Sequence, residues 1–421
     1  MRIFAVDVRK REGREVELAG WVHRLREIGN KFFIVLRDAS GTVQVVARKE
    51  SVKGKLDVEA SVRVRGVVRR DERAPGGYEV HATSVEVIGE SAPDWPFHRY
   101  LSTEMQLDYR HLWVRSTKMQ RVMKVKHTAL EYAWKWFRDN EFWFVTPPIF
   151  VSSACEGGAT LFEVPYFNTK AYLSQSAQLY LEALIYSLER VWSLTPSFRA
   201  EKSRTRRHLT EYWHLEAEEA FVDFEGNMKI QEELLKAMMK GILDERSEEV
   251  AEFKTEEKLE DWIKEKWPRI TYEEALEIVN RKGGKMKWGD DPGADEERMI
   301  MSEFETPVFV THWPREIKAF YMKVDEKDEK VVLGSDLLAP PVGEIIGGSE
   351  REWKLELLLE NMKIQKLDPK EYEWYLDLRR YGSVPHSGFG MGMERFVMAV
   401  LNLEHIRDAL PFPRFINRVW P

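Results

Sequence analysis

Cysteine is nearly absent from this chain: there is one, Cys155, among 421 residues. A single thiol rules out an intramolecular disulfide and any zinc site built on clustered cysteines. The expected role of Cys155 is that of a small buried residue. Long hydrophobic runs are missing too. No stretch approaches the roughly 20 apolar residues of a membrane-spanning helix. No signal-peptide pattern opens the chain, so the cytoplasm is the expected compartment and no membrane partner is expected. Also missing are a Gly-x-x-x-x-Gly-Lys-Ser/Thr loop and a strand followed by Gly-x-Gly-x-x-Gly. Two familiar routes to nucleotide binding are thereby closed. There is no internal repeat and no low-complexity tract.

What the chain has is length and mixed charge. Hydrophobic residues make up 43% and charged residues 32%, a folded composition with room for two or three domains. The net charge of −7 is unevenly spread: residues 1–90 hold 18 Lys and Arg against 14 Asp and Glu, and the remainder 46 against 57. A basic N-terminal segment on an acidic body points to contact with a polyanion. Within residues 1–90, five short runs alternate apolar and polar residues (15–22, 32–36, 42–47, 61–68 and 78–88). Turn signals such as Gly29-Asn30 and Ala74-Pro75-Gly76-Gly77 separate them. That pattern predicts a small barrel, with an OB-fold as the natural candidate. Residues 91–104, with Pro93 and Pro96, read as a hinge, and 105–421 as the main domain. Helical periodicity marks residues 117–139, and the charged, amphipathic stretch 226–266 reads as helices outside the main sheet. No chemistry is assigned to residues 268–300.

Two segments carry chemistry. Residues 196–218 pack Arg199, Arg204, Arg206 and Arg207 between acids and aromatics, flanked by apolar residues. They read as two strands joined by a basic loop, offering charge for phosphate and ring faces for a base. Downstream, Gly388-Phe389-Gly390-Met391-Gly392-Met393-Glu394-Arg395 sets glycines at alternate positions and then opens a helix. Glycine there lets backbone approach a ligand closely.

Together the two segments resemble motifs 2 and 3 of the class II aminoacyl-tRNA synthetases. The match is closest to the archaeal-type asparaginyl enzymes of the aspartyl/asparaginyl subgroup, and it spans essentially the whole chain. The resemblance implies an α+β protein: an N-terminal OB-fold β-barrel that binds the anticodon, and a class II catalytic domain with an antiparallel sheet flanked by helices, in which 226–266 is a helical insertion. It implies asparagine–tRNA ligation with ATP and Mg²⁺, with L-asparagine and tRNA(Asn) as partners, and a homodimer formed through the 117–139 helix and Val145-Thr146-Pro147-Pro148. Arg199 would hold the α-phosphate and the attacking carboxylate, and Arg395 the γ-phosphate. Tyr212 would stack under the adenine, with Phe389 as a wall. Glu201 would meet the adenine or the tRNA end. Arg207 and His208 would guide the outer phosphates, and Leu209 and Gly392 also fall on the ATP side. Asp336 and Glu344 match acids that bind Mg²⁺ with ATP. The aspartyl branch often has serine three residues after that glutamate, where this chain has Gly347, so the third ligand stays open.

For the amino acid, Glu156, Ser176 and Gln178 resemble groups that grip the substrate ammonium, and Arg351 the arginine that meets the side-chain oxygen. Aspartyl enzymes carry lysine where this chain has Leu181, and aspartate where it has Glu216. One cation lost and one acceptor moved closer favour a neutral amide over a second carboxylate. In the barrel, Phe33 and Gln44 match an aromatic and an amide that read the central anticodon base, and Arg26 lies near enough to meet a phosphate. The rival expectations are an aspartyl enzyme of relaxed specificity, an ammonia-dependent asparagine synthetase on the same fold, and a non-catalytic tRNA-binding paralogue.

Overall fold

The computed structural model describes residues 2–97, 101–155, 161–202 and 205–421. The chain divides into two compact units, Met1–Gln120 and Arg121–Pro421.

In the first unit the five expected strands form: β1 (Glu15–Ile28), β2 (Lys31–Arg37), β3 (Thr42–Arg48), β4 (Ser61–Arg70) and β5 (Tyr78–Gly89). β1 pairs antiparallel with β2 along its second half and with β4 along its first. A parallel pairing of β3 with β5 closes the barrel. Closure leaves no free edge, which solves the aggregation hazard of exposed strand edges. Alternate residues such as Leu18, Val22, Ile34, Val45, Val62 and Val64 fill the interior.

The second unit is built on an eight-stranded sheet. Its strands are β6 (Trp143–Phe144), β7 (Arg190–Phe198), β8 (Glu211–Ala220), β9 (Arg269–Thr271), β10 (Val308–Pro314), β11 (Val331–Ala339), β12 (Gly343–Glu350) and β13 (His386–Gly392). Their spatial order is β9-β10-β11-β12-β13-β8-β7-β6. The inner pairings are antiparallel, and each outermost strand runs parallel to its neighbour.

One face of this sheet is apolar. Leu215, Ala217, Leu337, Ile346, Phe389 and Met391 form a core with residues of three helices: α1 (Thr117–Asp139), α3 (Phe224–Ala251) and α9 (Met393–Val400). α3 is engaged more deeply than its charged sequence suggests. Its stripe of Leu234, Leu235, Met238, Met239 and Ile242 is buried in that core, and only the outer side is charged. The other face is covered only at its ends. At one end α2 (Gln178–Leu188) packs Leu181 and Ile185 on Val191 and Ala220. At the other, α5 (Tyr272–Arg281) and α6 (Ala294–Met301) pack on Val308, Val310 and Leu338. Near α2 lies α8 (Glu373–Arg380), with α4 (Glu256–Lys264) and α7 (Leu355–Ile364) earlier in the chain. No helix among the described residues is long and apolar enough to cross a membrane.

Candidate active site

The uncovered middle of the sheet is the floor of a cavity of about 610 Å³. One cross-strand row defines it: Glu216 on β8 lies opposite Gly390 on β13, Gly390 opposite Gly347 on β12, and Gly347 opposite Asp336 on β11. Directly opposed residues share a face, so two glycines hollow the floor between two carboxylates. A Cβ at Gly390 would lie 2.5 Å from His214 Nε2, and one at Gly388 2.1 Å from the Glu218 carboxyl. No side chain fits at either place.

A β-bulge completes the floor. The register of β11 against β12 shifts between Leu337 and Leu338, so Leu337 faces Ile346 while Leu338 faces Glu344. Ile345 is the extra residue and turns into the apolar core. Without it Glu344 would share the apolar face with Ile346. With it Glu344 turns to the same side as Asp336, the re-aiming that bulges provide beside functional sites. A Cβ at Gly347 would lie 3.2 Å from Glu344 Oε1 and 3.8 Å from Asp336 Oδ1. Burial pushes the Asp336 carboxyl up to about 7 against the pull of Lys318, whose ammonium is bonded to it. Burial also pushes Glu344 up, but Arg395, Lys318, Arg199 and Arg207 together hold it below the usual carboxylate range.

At the α2 end, Glu216 is buried and held by two donors. Ser176 Oγ bonds to Oε1, and the Ala177 amide donates to Oε2 at 2.8 Å. Burial raises its pKa despite these bonds. Arg351 is tied on one side: Nε and Nη2 donate to Glu218, and Nη1 donates to Ser349 Oγ at 2.7 Å. Its outer edge faces the cavity with Gln178 and Tyr321.

The cavity opens at Arg199, His214, Glu344 and Gly390 into a second cleft. Arg207, His208, Leu209, Tyr212, Gly392 and Arg395 line it. β7 and β8 bring these together, because the loop joining them folds back beside the start of α9. The Arg199 guanidinium lies 5.7 Å from the Tyr212 ring centroid. Arg395 Nη1 donates to the Glu344 carbonyl at 2.9 Å and to its Oε2 at 3.3 Å. Burial, then Arg395, Arg207 and Arg199, lowers the His208 pKa to about 4, so the ring is neutral beside three cations. Glu201 lies in a smaller adjoining recess with Arg199, His208 and Phe415.

Two expected residues stand apart. Phe389 is 2% exposed and packs in the apolar core, with only its backbone side toward the cavity. Strand alternation requires this, since Gly388, Gly390 and Gly392 face the site. Leu181 is fully buried in the cluster beneath α2 and does not line the cavity. Glu156 lies outside the described residues. Conversely, the cavity contains groups to which no chemistry was assigned. Asp291 and Lys318 line it, and beside the second cleft Glu297 grips Arg207 through Nη1 and Nη2. All three come from residues 268–318, where no motif announces them.

In the barrel, Arg26 lies opposite Phe33 and Phe33 opposite Val46, while Val35 lies opposite Gln44. Arg26, Phe33 and Gln44 therefore share one outward face. Phe32 points the other way and packs on the barrel core. Gln44 Nε2 donates to Glu79 Oε2 at 2.7 Å, which leaves the Gln44 oxygen outward.

The model for tRNA synthetases class II (D, K and N) matches residues 102–416, and that for an OB-fold nucleic acid binding domain matches 16–88. The asparagine–tRNA ligase of Thermococcus gammatolerans is 51% identical over 100% of this chain and 99% of its own. The asparaginyl-tRNA synthetase of Pyrococcus horikoshii, solved with asparaginyl-adenylate, superposes with a TM-score of 0.95 at 50% identity over the whole of both chains. The Entamoeba histolytica asparaginyl-tRNA synthetase, also solved with asparaginyl-adenylate, gives a TM-score of 0.89 at 34% identity over 97% of each.

Proposed function

Because this chain belongs to the class II tRNA synthetases (D, K and N), we propose that it charges tRNA with asparagine. A carboxylate oxygen of asparagine attacks the α-phosphorus of ATP, forming asparaginyl-adenylate and releasing pyrophosphate. A hydroxyl of the terminal ribose of tRNA then attacks the adenylate carbonyl, giving asparaginyl-tRNA and AMP. One observation carries the reading: the floor runs from a buried carboxylate, Glu216, and a tethered guanidinium, Arg351, to an arginine-lined cleft, with Arg199 at the junction.

The nucleophile is already an anion, so no general base is needed. Catalysis is positioning and neutralisation of charge at phosphorus. Arg199 holds the α-phosphate and the incoming carboxylate, and Arg395 and Arg207 hold the outer phosphates. Tyr212 stacks on the adenine. His208, Leu209 and Gly392 shape the same cleft, and Glu201 lies toward the tRNA end. Gln178 accepts from the substrate ammonium through its side-chain oxygen. Glu216 accepts from the side-chain amide, and Arg351 donates to the side-chain oxygen. Glu216 and Glu218 place two carboxylates beside one guanidinium, which suits a neutral amide. A second substrate carboxylate would be rejected by several kcal/mol, roughly a thousandfold.

Asp336 and Glu344 fit a Mg²⁺ ion. Both are hard oxygen donors on one face, and a cation there would offset the burial and the neighbouring Glu344 charge that together raise Asp336. Bound there, Mg²⁺ supplies positive charge to the triphosphate. Arg26, Phe33 and Gln44 take the anticodon, Phe33 stacking on a base and Gln44 accepting from its edge. A homodimer through α1 and β6 is supported by apolar side chains left in water there, with Trp134 45% and Trp143 61% exposed.

The test is amino-acid-dependent ATP–pyrophosphate exchange with asparagine and with aspartate. Exchange with asparagine alone is expected. Comparable exchange with aspartate overturns the specificity argument, and adding ammonia then separates an aspartyl enzyme from an asparagine synthetase.

A further inference from the structure

Beneath Gln178 lies a buried charged network that activation, as described, does not use. Its centre is Glu182, fully buried on α2 and four residues after Gln178, a spacing at which helical side chains meet. The two carboxylate oxygens are used unequally. Oε2 accepts from Arg379 Nη2 at 2.6 Å and from the Tyr375 hydroxyl at 2.7 Å, and it lies 2.9 Å from His386 Nε2. Oε1 accepts from Gln178 Nε2 at 3.0 Å.

An ionised carboxylate can only accept hydrogen bonds. A side-chain amide can do either, depending on which end it presents. Against Glu182, Gln178 has one choice, because turning its oxygen inward would set two acceptors face to face in the interior. Nε2 is therefore held inward and Oε1 outward, and Gln178 lines the cavity. The cavity thus meets an acceptor, the group an ammonium needs. Burial alone would protonate Glu182, but Arg379, His386 and Arg351 hold its carboxyl far below the usual range.

We propose that Glu182 is the positioning residue that makes this amino-acid site selective for an α-ammonium group, by fixing the Gln178 amide with its oxygen toward the substrate. The proposal rests on the reading of Gln178 as an ammonium acceptor. It assigns a task to Arg379 and Tyr375 as well: they saturate Oε2, so that Oε1 remains for Gln178. The elements involved are far apart in sequence, with Arg379 and Glu182 separated by 197 positions.

The test compares asparagine with succinamate, which is asparagine without its amino group, in the pyrophosphate-exchange assay. Glu182→Gln keeps the shape but places an amide opposite an amide, so either orientation of Gln178 is satisfied. The expected result is a KM for asparagine raised about tenfold, kcat within about threefold, and a succinamate Ki within about twofold of the parent. The preference for the ammonium-bearing ligand then falls by about the same tenfold. If KM and Ki rise together, or neither moves, Glu182 merely holds the fold and the proposal is overturned. Should the unpaired Arg379 prevent Glu182→Gln from folding, the double variant Glu182→Leu with Arg379→Met removes both charges and is held to the same outcome.

Gln178→Leu separates the proposal from its premise. If Gln178→Leu abolishes the ammonium preference and the Glu182 variants keep it, the premise stands and the Glu182 proposal alone fails. If Gln178→Leu also keeps the preference, the ammonium is held elsewhere and both fail.

Discussion

Arg395 shows how much a single side chain can carry in this site. It leans on the Glu344 carbonyl and carboxylate and closes the arginine cleft from the α9 side. Arg395→Ala is expected to lower asparagine-dependent pyrophosphate exchange by about a thousandfold or more, while filter-binding affinity for tRNA stays within about threefold. Survival of exchange would remove Arg395 from the phosphate site. Arg207 depends on a partner. Glu297 fixes its guanidinium from α6, so Glu297→Gln should raise the KM for ATP several-fold and leave that for asparagine nearly unchanged. An equal rise in both would mean that Glu297 acts on the whole cavity. At this scale the sequence was readable where the lining of the cavity and cleft is contiguous. Arg199, Tyr212 and Glu216 lie within one hairpin, and Arg395 follows its glycines directly. It was unreadable where the lining and its supports are assembled from afar. Lys318, Asp291 and Glu297 carry no local signature, and Glu182 looks like any helical glutamate until Arg379 folds against it.

Among the elements, β13 shows a graded tolerance. Its glycines face the floor, and the cost of a methyl group differs sharply along it. Gly388→Ala drives a Cβ to 2.1 Å from the Glu218 carboxyl, whereas Gly392→Ala meets nothing nearer than 3.8 Å. Gly388→Ala is expected to displace Arg351 and raise the KM for asparagine by about a hundredfold. Gly392→Ala should shift Tm by no more than about 2 °C. Equal effects of the two in exchange and calorimetry would show that the strand relaxes freely. The barrel strands and α1 were legible because period 2 and period 3.6 are written directly in residue order. The same alternation, applied to β13, turns Phe389 inward once its glycines are known to face the site. The bulge at Ile345 was not legible, since an extra residue shows only against a partner strand.

For the whole molecule, acid is the informative variable. His208 and His405 are both held at about 4 by burial and neighbouring arginines. In the unfolded chain each titrates near 6.5. Between those values the unfolded chain binds protons that the folded rings refuse, so the contribution of these two histidines to stability falls as pH drops from about 6.5 toward 4 and levels off below. Asp336, held up at about 7 in the fold, contributes in the opposite sense over the same range, so the histidine effect is read as a difference between variant and parent. The Tm of His208→Gln should rise relative to that of the parent as pH drops through that range, and a difference that stays constant would mean that the His208 ring charges without cost.

Heat acts differently on the same cavity. Its floor and the layer beneath Gln178 keep Glu218 with Arg351, Asp336 with Lys318 and Glu182 with Arg379 away from water. The hydration that such ions forgo becomes less favourable as temperature rises, while the gain from burying apolar surface levels off. Warming therefore lowers the penalty of the polar floor relative to the apolar sheet face behind it. In a hot solvent the substrate floor becomes one of the later parts of the catalytic unit to open, and hydrogen exchange at β8 and β13 should slow relative to that at α3 as the temperature is raised.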